Sequence, residues 1–237
     1  MRQSDLCGDT EPYRNVKMIS VGNLENMYSR EIESYKQGLK LNKRQREIII
    51  GLLLGDGHLE TANDGRTYRL KVDHCLEQSS YTWWLYHQFE DWVRSKPKIR
   101  HKKANSDMIG FTTYSHEAFR FYAHQFYCGK ERRVPPLIKK LITPQALAIW
   151  FMDDGSLKSN RHASVIIHSV AFCERDLNLL QEALYEKFGI ETTLHKQKQR
   201  YWRIYVPSRS IKRFRNVVEP YIIPEMKYKL GNIMPKK

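Results

Sequence analysis

Two stretches of this chain, far apart along it, carry the same design, and that repetition restricts the possible folds more than any other feature. In the first, Asn42 and Gln45 have the spacing of a capping box. The segment then runs through Arg46, Ile48, Ile49, Ile50, Gly51, Leu52, Leu53 and Leu54 to Asp56, with Gly57 as a stop. In the second, Thr143 is a cap candidate and Pro144 suits the first helical position. Ala146, Leu147, Ala148, Ile149, Trp150, Phe151 and Met152 come next, closing with Asp153, Asp154 and Gly155. Residues 49–57 superpose on 147–155: an apolar helix, an Asp, a Gly. Apolar residues occur on every side of the second half of the first helix, so that half must be buried all round.

The segments after the two copies are also parallel. Tyr68, Leu70 and Val72 alternate with Arg69, Lys71 and Asp73, the period-two mark of a half-buried strand. Residues 79 to about 94 read as an aromatic-rich helix containing Tyr81, Trp84, Leu85 and Trp92, whose spacing favours core packing over base stacking. Short strands at 98–102 and 109–114 and a helix over 115–127 complete the first half. After the second copy, the pattern predicts a strand at 164–170 and a helix over 173–188 stopped by Gly189. A hairpin of 192–198 with 201–206 and a helix over 208–218 come next. The fold class is therefore α+β, with tandem αββαββα repeats. Residues 41–138 form the first repeat and 139–237 the second, joined by a basic, Pro-containing stretch. Residues 1–40, with a helix over 29–39, read as an N-terminal extension.

Charge narrows the partners. Forty Lys and Arg against 26 Asp and Glu leave a formal charge of +14 on 237 residues. That surplus favours a polyanion, since each neutralised phosphate releases condensed counterions. An aromatic content of 12% argues against a disordered basic tail. Cys7, Cys75, Cys128 and Cys173 form no CxxC pair, which argues against a zinc module and a small disulfide framework. They are expected to be reduced, partly buried thiols. The nine histidines show no zinc spacing either. The longest apolar run, 48–54, is shorter than the roughly 20 residues a membrane helix needs. No secretory h-region precedes it. The expectation is a soluble intracellular protein, cytoplasmic or in an organellar matrix, not secreted and with no membrane partner.

Two helices that each end in Asp are odd on electrostatic grounds, because a helix C-terminus disfavours a carboxylate by a few tenths of a kcal/mol or more. If the helices pack side by side, Asp56 and Asp154 converge as well. At about 5 Å and an effective dielectric near 20, their repulsion is roughly 3 kcal/mol. A hard divalent cation such as Mg²⁺ between them would offset it. The bland alternative is two solvated Asp-Gly turns. Two copies, each after a capped apolar helix, favour a shared metal site that polarises a phosphodiester and activates water.

These residues form a recognisable pattern. The paired motifs resemble those that name the LAGLIDADG homing endonucleases, in particular their single-chain, two-motif members. Similarity runs from about residue 41 to 230, sharpest at 50–57, at 150–155 and in the late run Pro220, Tyr221, Ile222, Ile223, Pro224, Met226, Tyr228, Lys229 and Leu230. The resemblance implies a pseudo-two-fold monomer with two central motif helices and two antiparallel sheets forming a DNA-binding saddle. It implies Asp56 and Asp154 as metal-binding catalytic acids, with the carbonyls of Gly55 and Asp153 completing the shell around Mg²⁺ or Mn²⁺. It also implies a basic residue near each site. Lys229 matches the second; Arg132 stands where a lysine is expected in the first, with Lys130 and Arg133 as rivals. An Arg is always charged and is a poor proton shuttle.

The basic strand residues then acquire a meaning. Arg69 and Lys71; Lys98, Arg100 and Lys102; Lys196, Lys198 and Arg200; and Arg203 are candidate DNA contacts in the major groove. Taken singly, each is as well explained as an ordinary solvated edge charge; together, their one-sidedness favours DNA. Three functions fit: a site-specific endonuclease cutting double-stranded DNA, an RNA maturase assisting intron splicing, and a non-catalytic DNA-binding protein. Both acids are present, which favours the first.

Overall fold

In the computed structural model, which describes residues 21–101, 107–159, 162–197 and 201–231, Asn42 opens the first motif helix as its spacing requires. Its side chain accepts the Gln45 N–H at 2.8 Å, and the Gln45 side chain accepts the Asn42 N–H at 3.0 Å. Thr143 caps the second motif helix, accepting the Ala146 N–H at 3.1 Å, and Pro144 takes the first turn. Two units can be distinguished, Met1–Gly38 and Leu39–Lys237. The first contains α1 (Val21–Gln37), longer than its sequence pattern suggests, with a Lys36–Glu33 ion pair at 2.8 Å.

The second unit carries everything else. Its first half runs α2 (Lys43–Leu54), β1 (His58–Glu60), β2 (Arg69–Cys75), α3 (Ser79–Gln88), β3 (Lys98–Arg100), β4 (Met108–Thr112) and α4 (Arg120–Phe126). A hairpin of β5 (Tyr127–Cys128) and β6 (Glu131–Arg132) and a short α5 (Ile138–Leu141) lead to the second half. That half runs α6 (Pro144–Asp154), β7 (Gly155–Ser159), β8 (His162–His168), α7 (Glu174–Phe188), β9 (Thr193–Gln197), β10 (Tyr201–Val206) and α8 (Ser208–Val218). Two 3₁₀ turns, Glu219–Tyr221 and Pro224–Leu230, come after it. Gly189 stops α7 in the left-handed region at φ 62°, a conformation that favours glycine.

The two antiparallel sheets have the same strand order, β1-β2-β4-β3 and β7-β8-β10-β9. The alternation along β2 puts Leu70, Val72 and His74 inside and Arg69, Lys71, Asp73 and Cys75 outside. Strands β1 and β7 escape detection by pattern because each begins directly at the Asp-Gly turn, before any alternation can register. The helix read over 79–94 ends at Gln88 and continues as a 3₁₀ turn, Glu90–Trp92. The joining stretch contains a hairpin and a short helix, which its composition did not announce. The described cysteines, Cys75, Cys128 and Cys173, are free but exposed rather than partly buried. They sit at an outward strand end, in a hairpin and at a helix cap, where no core is available to cover them.

The motif helices form the centre of the core. Ile48 to Leu54 of α2 and Ala146 to Met152 of α6 are all buried. They pack small against large. A Cβ added at Gly51 would lie 2.5 Å from the Cβ of Ile149 and 2.6 Å from the Ala146 carbonyl, and one added at Gly55 would collide with the Asp153 side chain. Gly51 and Gly55 thus accommodate Ile149 and Asp153, the larger residues at the matching positions of the other copy. Gly51→Ala should destabilise the fold by about 1–3 kcal/mol through this overpacking. Urea denaturation would measure it, and an unmoved midpoint would mean that the helices separate freely.

Candidate active site

The two motifs end differently. Helix α2 closes at Leu54; the Gly55 N–H reaches back to the Gly51 and Leu52 carbonyls at 3.0 and 3.1 Å, and the Gly57 N–H to Leu52 at 2.9 Å. Asp56 therefore lies just past the helix in the turn into β1, not on its last turn as the pattern suggested. Helix α6 continues through Asp154 before β7 begins. In both halves an Asp stands where a buried helix passes into the first strand of a sheet.

Between them lies Asp153, buried in the seam. One of its carboxylate oxygens accepts the backbone N–H of Asp56 at 2.9 Å. The other accepts the Tyr81 hydroxyl at 2.8 Å, with His74 Nε2 at 3.8 Å. His74 is fixed from its other side by Thr82, with Nδ1 2.9 Å from Oγ1. Asp153, expected to contribute only its carbonyl, thus uses its side chain to hold the main chain of the opposite motif. Burial, reinforced by Asp153, pushes the Tyr81 phenol well above its ordinary range, so it remains a donor.

Each turn is also clamped by one basic side chain. Arg132, on β6, donates to the Gly55 carbonyl and, at 2.8 Å, to that of Gly57. Lys229, in the last 3₁₀ turn, donates to the Met152 carbonyl and, at 2.9 Å, to that of Asp153. Of the three first-half candidates, Arg132 alone makes this contact among the described hydrogen bonds. Arg133 turns away to the Gln125 and His124 carbonyls at 3.2 and 3.0 Å, and Lys130 is exposed in the hairpin. Burial lowers the Lys229 ammonium from its ordinary value, against the pull of Asp153, Asp56 and Asp154.

The carboxylates facing outward are strained electrostatically. Burial, with Asp153 and Asp56 adding to it, pushes the Asp154 carboxyl up to about 8, despite a hydrogen bond from Trp150 Nε1 at 3.3 Å. Asp56 reaches solvent, yet the protein around it and then Asp153 raise its carboxyl too, with His74, Lys229 and Arg132 pulling the other way. Asp56, His74 and Asp153 each offer a ligand atom within 4.8 Å of the others. Both oxygens of Asp153 are already engaged, however, and His74 is buried beneath it. The oxygens with capacity left are those of the Asp56 carboxylate, the Asp154 oxygen that Trp150 does not reach, and the second lone pairs of the Gly55 and Asp153 carbonyls. An all-oxygen set suits a hard divalent cation.

The sheets extend outward from these turns. On the first sheet Arg69, Lys71, Lys98 and Arg100 share the outward face, by the register Lys71↔Thr112, Lys98↔Gly110 and Arg100↔Met108. On the second, Arg203 lies outward in register with His168 and His195. Lys196 does not join it: it pairs with Trp202, on the opposite face, its ammonium 4.6 Å from the indole centre. The period-two reading does not relate the two strands of the hairpin to each other, which is why it misses this. Lys102, Lys198 and Arg200 lie outside the described residues. Pattern also misses the Tyr81–Asp153 contact, because the two residues are 72 positions apart and Tyr81 has the spacing of a core aromatic.

Residues 46–214 match the model of a family described as the LAGLIDADG DNA endonuclease family. The chain is similar to the DNA endonuclease I-ChuI of Chlamydomonas applanata, 29% identical over 82% of this chain and 97% of that one. It is also similar to the cytochrome b mRNA maturase bI2 of Saccharomyces cerevisiae, 28% identical over 82% of this chain and 49% of that one. Among solved structures it resembles the homing endonuclease I-WcaI bound to its DNA recognition sequence, with a TM-score of 0.80 and 29% identity over 86% of this chain and 93% of that one.

The raised Asp154 carboxyl has a consequence for stability. Its folded value is about 8 against an ordinary 3.8. Below both values the group is protonated in the folded and the unfolded chain alike. As pH rises between them, the unfolded chain releases its proton first, so stability falls. In chelator, the parent should therefore lose melting temperature relative to Asp154→Asn as pH rises from about 4 to about 8. Parallel melting curves for the two would refute it.

Proposed function

The chain belongs to the LAGLIDADG DNA endonuclease family, and on that premise we propose that it is a site-specific homing endonuclease cutting both strands of a double-stranded DNA target with divalent metal. The observation that carries this reading is the pair of acids, Asp56 and Asp154, set where packed motif helices pass into sheets with basic outward faces. We read 41–138 and 139–237 as its two repeats, each serving one strand. No described helix is long and apolar enough to cross a membrane. A DNA substrate puts the enzyme in the cytoplasm or an organellar matrix.

Asp56 and Asp154 would hold Mg²⁺ or Mn²⁺ with the carbonyls of Gly55 and Asp153. When bound, the metal supplies charge to polarise the phosphodiester and to activate water. The chain's own residues prepare the site. Asp153 and Tyr81 fix the Asp56 main chain. Arg132 and Lys229 fix the carbonyls, each of which retains a lone pair. We read both cations as also stabilising negative charge that develops on the phosphoryl oxygens. Burial lowers the Lys229 ammonium from its ordinary value, whereas the Arg132 guanidinium stays charged. Arg69, Lys71, Lys98, Arg100 and Arg203 are the proposed groove contacts.

The likeness to the maturase favours a second reading, assistance of intron splicing through RNA binding. The acids separate the two. Asp56→Asn or Asp154→Asn should abolish double-strand cutting in Mg²⁺ while DNA binding stays within a few-fold, because only phosphate activation is lost. Cleavage of a randomised duplex library by the parent and both variants tests this; equal cutting by all three would defeat the metal-pair model. Lys229→Ala should slow cleavage about a hundredfold with little change in affinity. The reverse pattern, measured by single-turnover cleavage and equilibrium binding, would make Lys229 a phosphate anchor.

A further inference from the structure

The two sheets present different chemistry outward. Across the first runs an unbroken series of alternating charges. Arg69 grips one oxygen of Glu60 through Nε at 3.1 Å and Nη2 at 2.9 Å, and Lys71 reaches the other at 3.2 Å. Lys71 also lies 3.8 Å from Asp73. Asp73 in turn receives Arg100, which reaches from the edge strand β3 across the intervening β4. It crosses over Gly110, where an added Cβ would collide with the Asp73 carboxylate and the Val72 carbonyl and lie 2.9 Å from Arg100 Nη2. His58, two residues past Asp56, closes the series with Nε2 3.0 Å from Glu60. The described residues of the second sheet include no Asp or Glu in any of its strands. Its outward positions carry Ser156, Ile166, His168, Arg203, Tyr205 and His195 instead, and the Lys158 ammonium lies 4.8 Å from the Tyr205 ring centre.

Two carboxylates on a face meant for phosphates lower its affinity, and exposed ion pairs contribute little to stability. Glu60 remains ionised throughout: burial opposes this, but hydrogen bonds from His58, Lys71 and Arg69 hold its carboxyl down at about 2. The pairs do fix Arg69, Lys71 and Arg100 in place before DNA arrives, so less side-chain freedom is lost on binding. Anchored guanidiniums match the acceptor edge of guanine, and the carboxylates can accept from the amino groups of cytosine or adenine. Resting on the endonuclease reading, we propose that Glu60 and Asp73 are specificity-determining residues: their carboxylates orient Arg69, Lys71 and Arg100 toward base edges, and repel the backbone of an ill-fitting duplex, in one half of the target only.

The test uses the full chain and a target selected by cleavage from a randomised duplex library in Mg²⁺. Every base pair on both sides of the cut is then substituted in turn, and cleavage and binding are compared for the parent, Glu60→Gln, Asp73→Asn and Glu60→Asp. For Glu60→Gln and Asp73→Asn, discrimination should fall about tenfold at positions on one side of the cut and hold on the other. Affinity for random-sequence duplex should rise at the same time. Glu60→Asp, which keeps the charge but shortens the reach, should lose discrimination on the same side without the gain in random-DNA affinity. Discrimination unchanged, or changed equally on both sides, would overturn the proposal. So would a loss of stability in urea with an even loss of affinity, since that marks the pairs as structural. A parent that selects no target would instead defeat the endonuclease reading on which it rests.

Discussion

The close approach of α2 and α6 is the constraint on which the rest of the structure depends. It is possible because Gly51 and Gly55 leave room on one helix for Ile149 and Asp153 of the other. Two identical faces with small residues on both sides would leave voids; a small residue opposite a large one packs to the density a core requires. The repeat in the chain is thus broken where the copies touch. That break also puts a carboxylate into the seam. Asp153, accepting from the Asp56 N–H and the Tyr81 hydroxyl, links the second motif, the first motif and the aromatic helix in one contact.

That packing sets the electrostatics. Three acids meet at the end of a mostly apolar seam, and the chain manages them in different ways. Asp153 is satisfied internally by donors. Asp56 and Asp154 are left with carboxyls raised by burial and by their neighbours, a state that an added cation would relieve. Arg132 and Lys229 do not pair with these acids directly; they donate to the carbonyls beside them. Among the described ion pairs, neither acid is neutralised by a basic partner. A surface of ordinary ion pairs would have closed the site.

The sheets share a topology but differ in the chemistry they present. One outward face interleaves carboxylates with guanidinium and ammonium groups; the other, with no carboxylate in its described strands, combines Arg203 and Lys158 with histidines, tyrosines, a serine and an isoleucine. A pseudo-symmetric scaffold can therefore face two unlike DNA half-sites. The two motif turns differ in the same spirit, clamped by an always-charged Arg on one side and a half-buried Lys on the other. Both asymmetries are substitutions within a common frame and require no change of fold.

The sequence by itself determined the repeat, the capped motif helices, most of the elements in each half and the pair of acids at the motif ends. These are local matters, set by caps, stops and hydrophobic period, and such signals survive in one dimension. It left Arg132, Lys130 and Arg133 undecided, because which of three neighbouring cations reaches a carbonyl depends on a hairpin its composition did not announce. It grouped Lys196 with the basic face because alternation fixes which residues of one strand share a side, but not how two strands are paired. Only the tertiary structure decided that Asp153 bonds to Tyr81 across 72 positions, and that Glu60, Lys71, Asp73 and Arg100 form one series across four strands. Contacts between distant segments depend on packing and register, and no periodicity within a single segment encodes them.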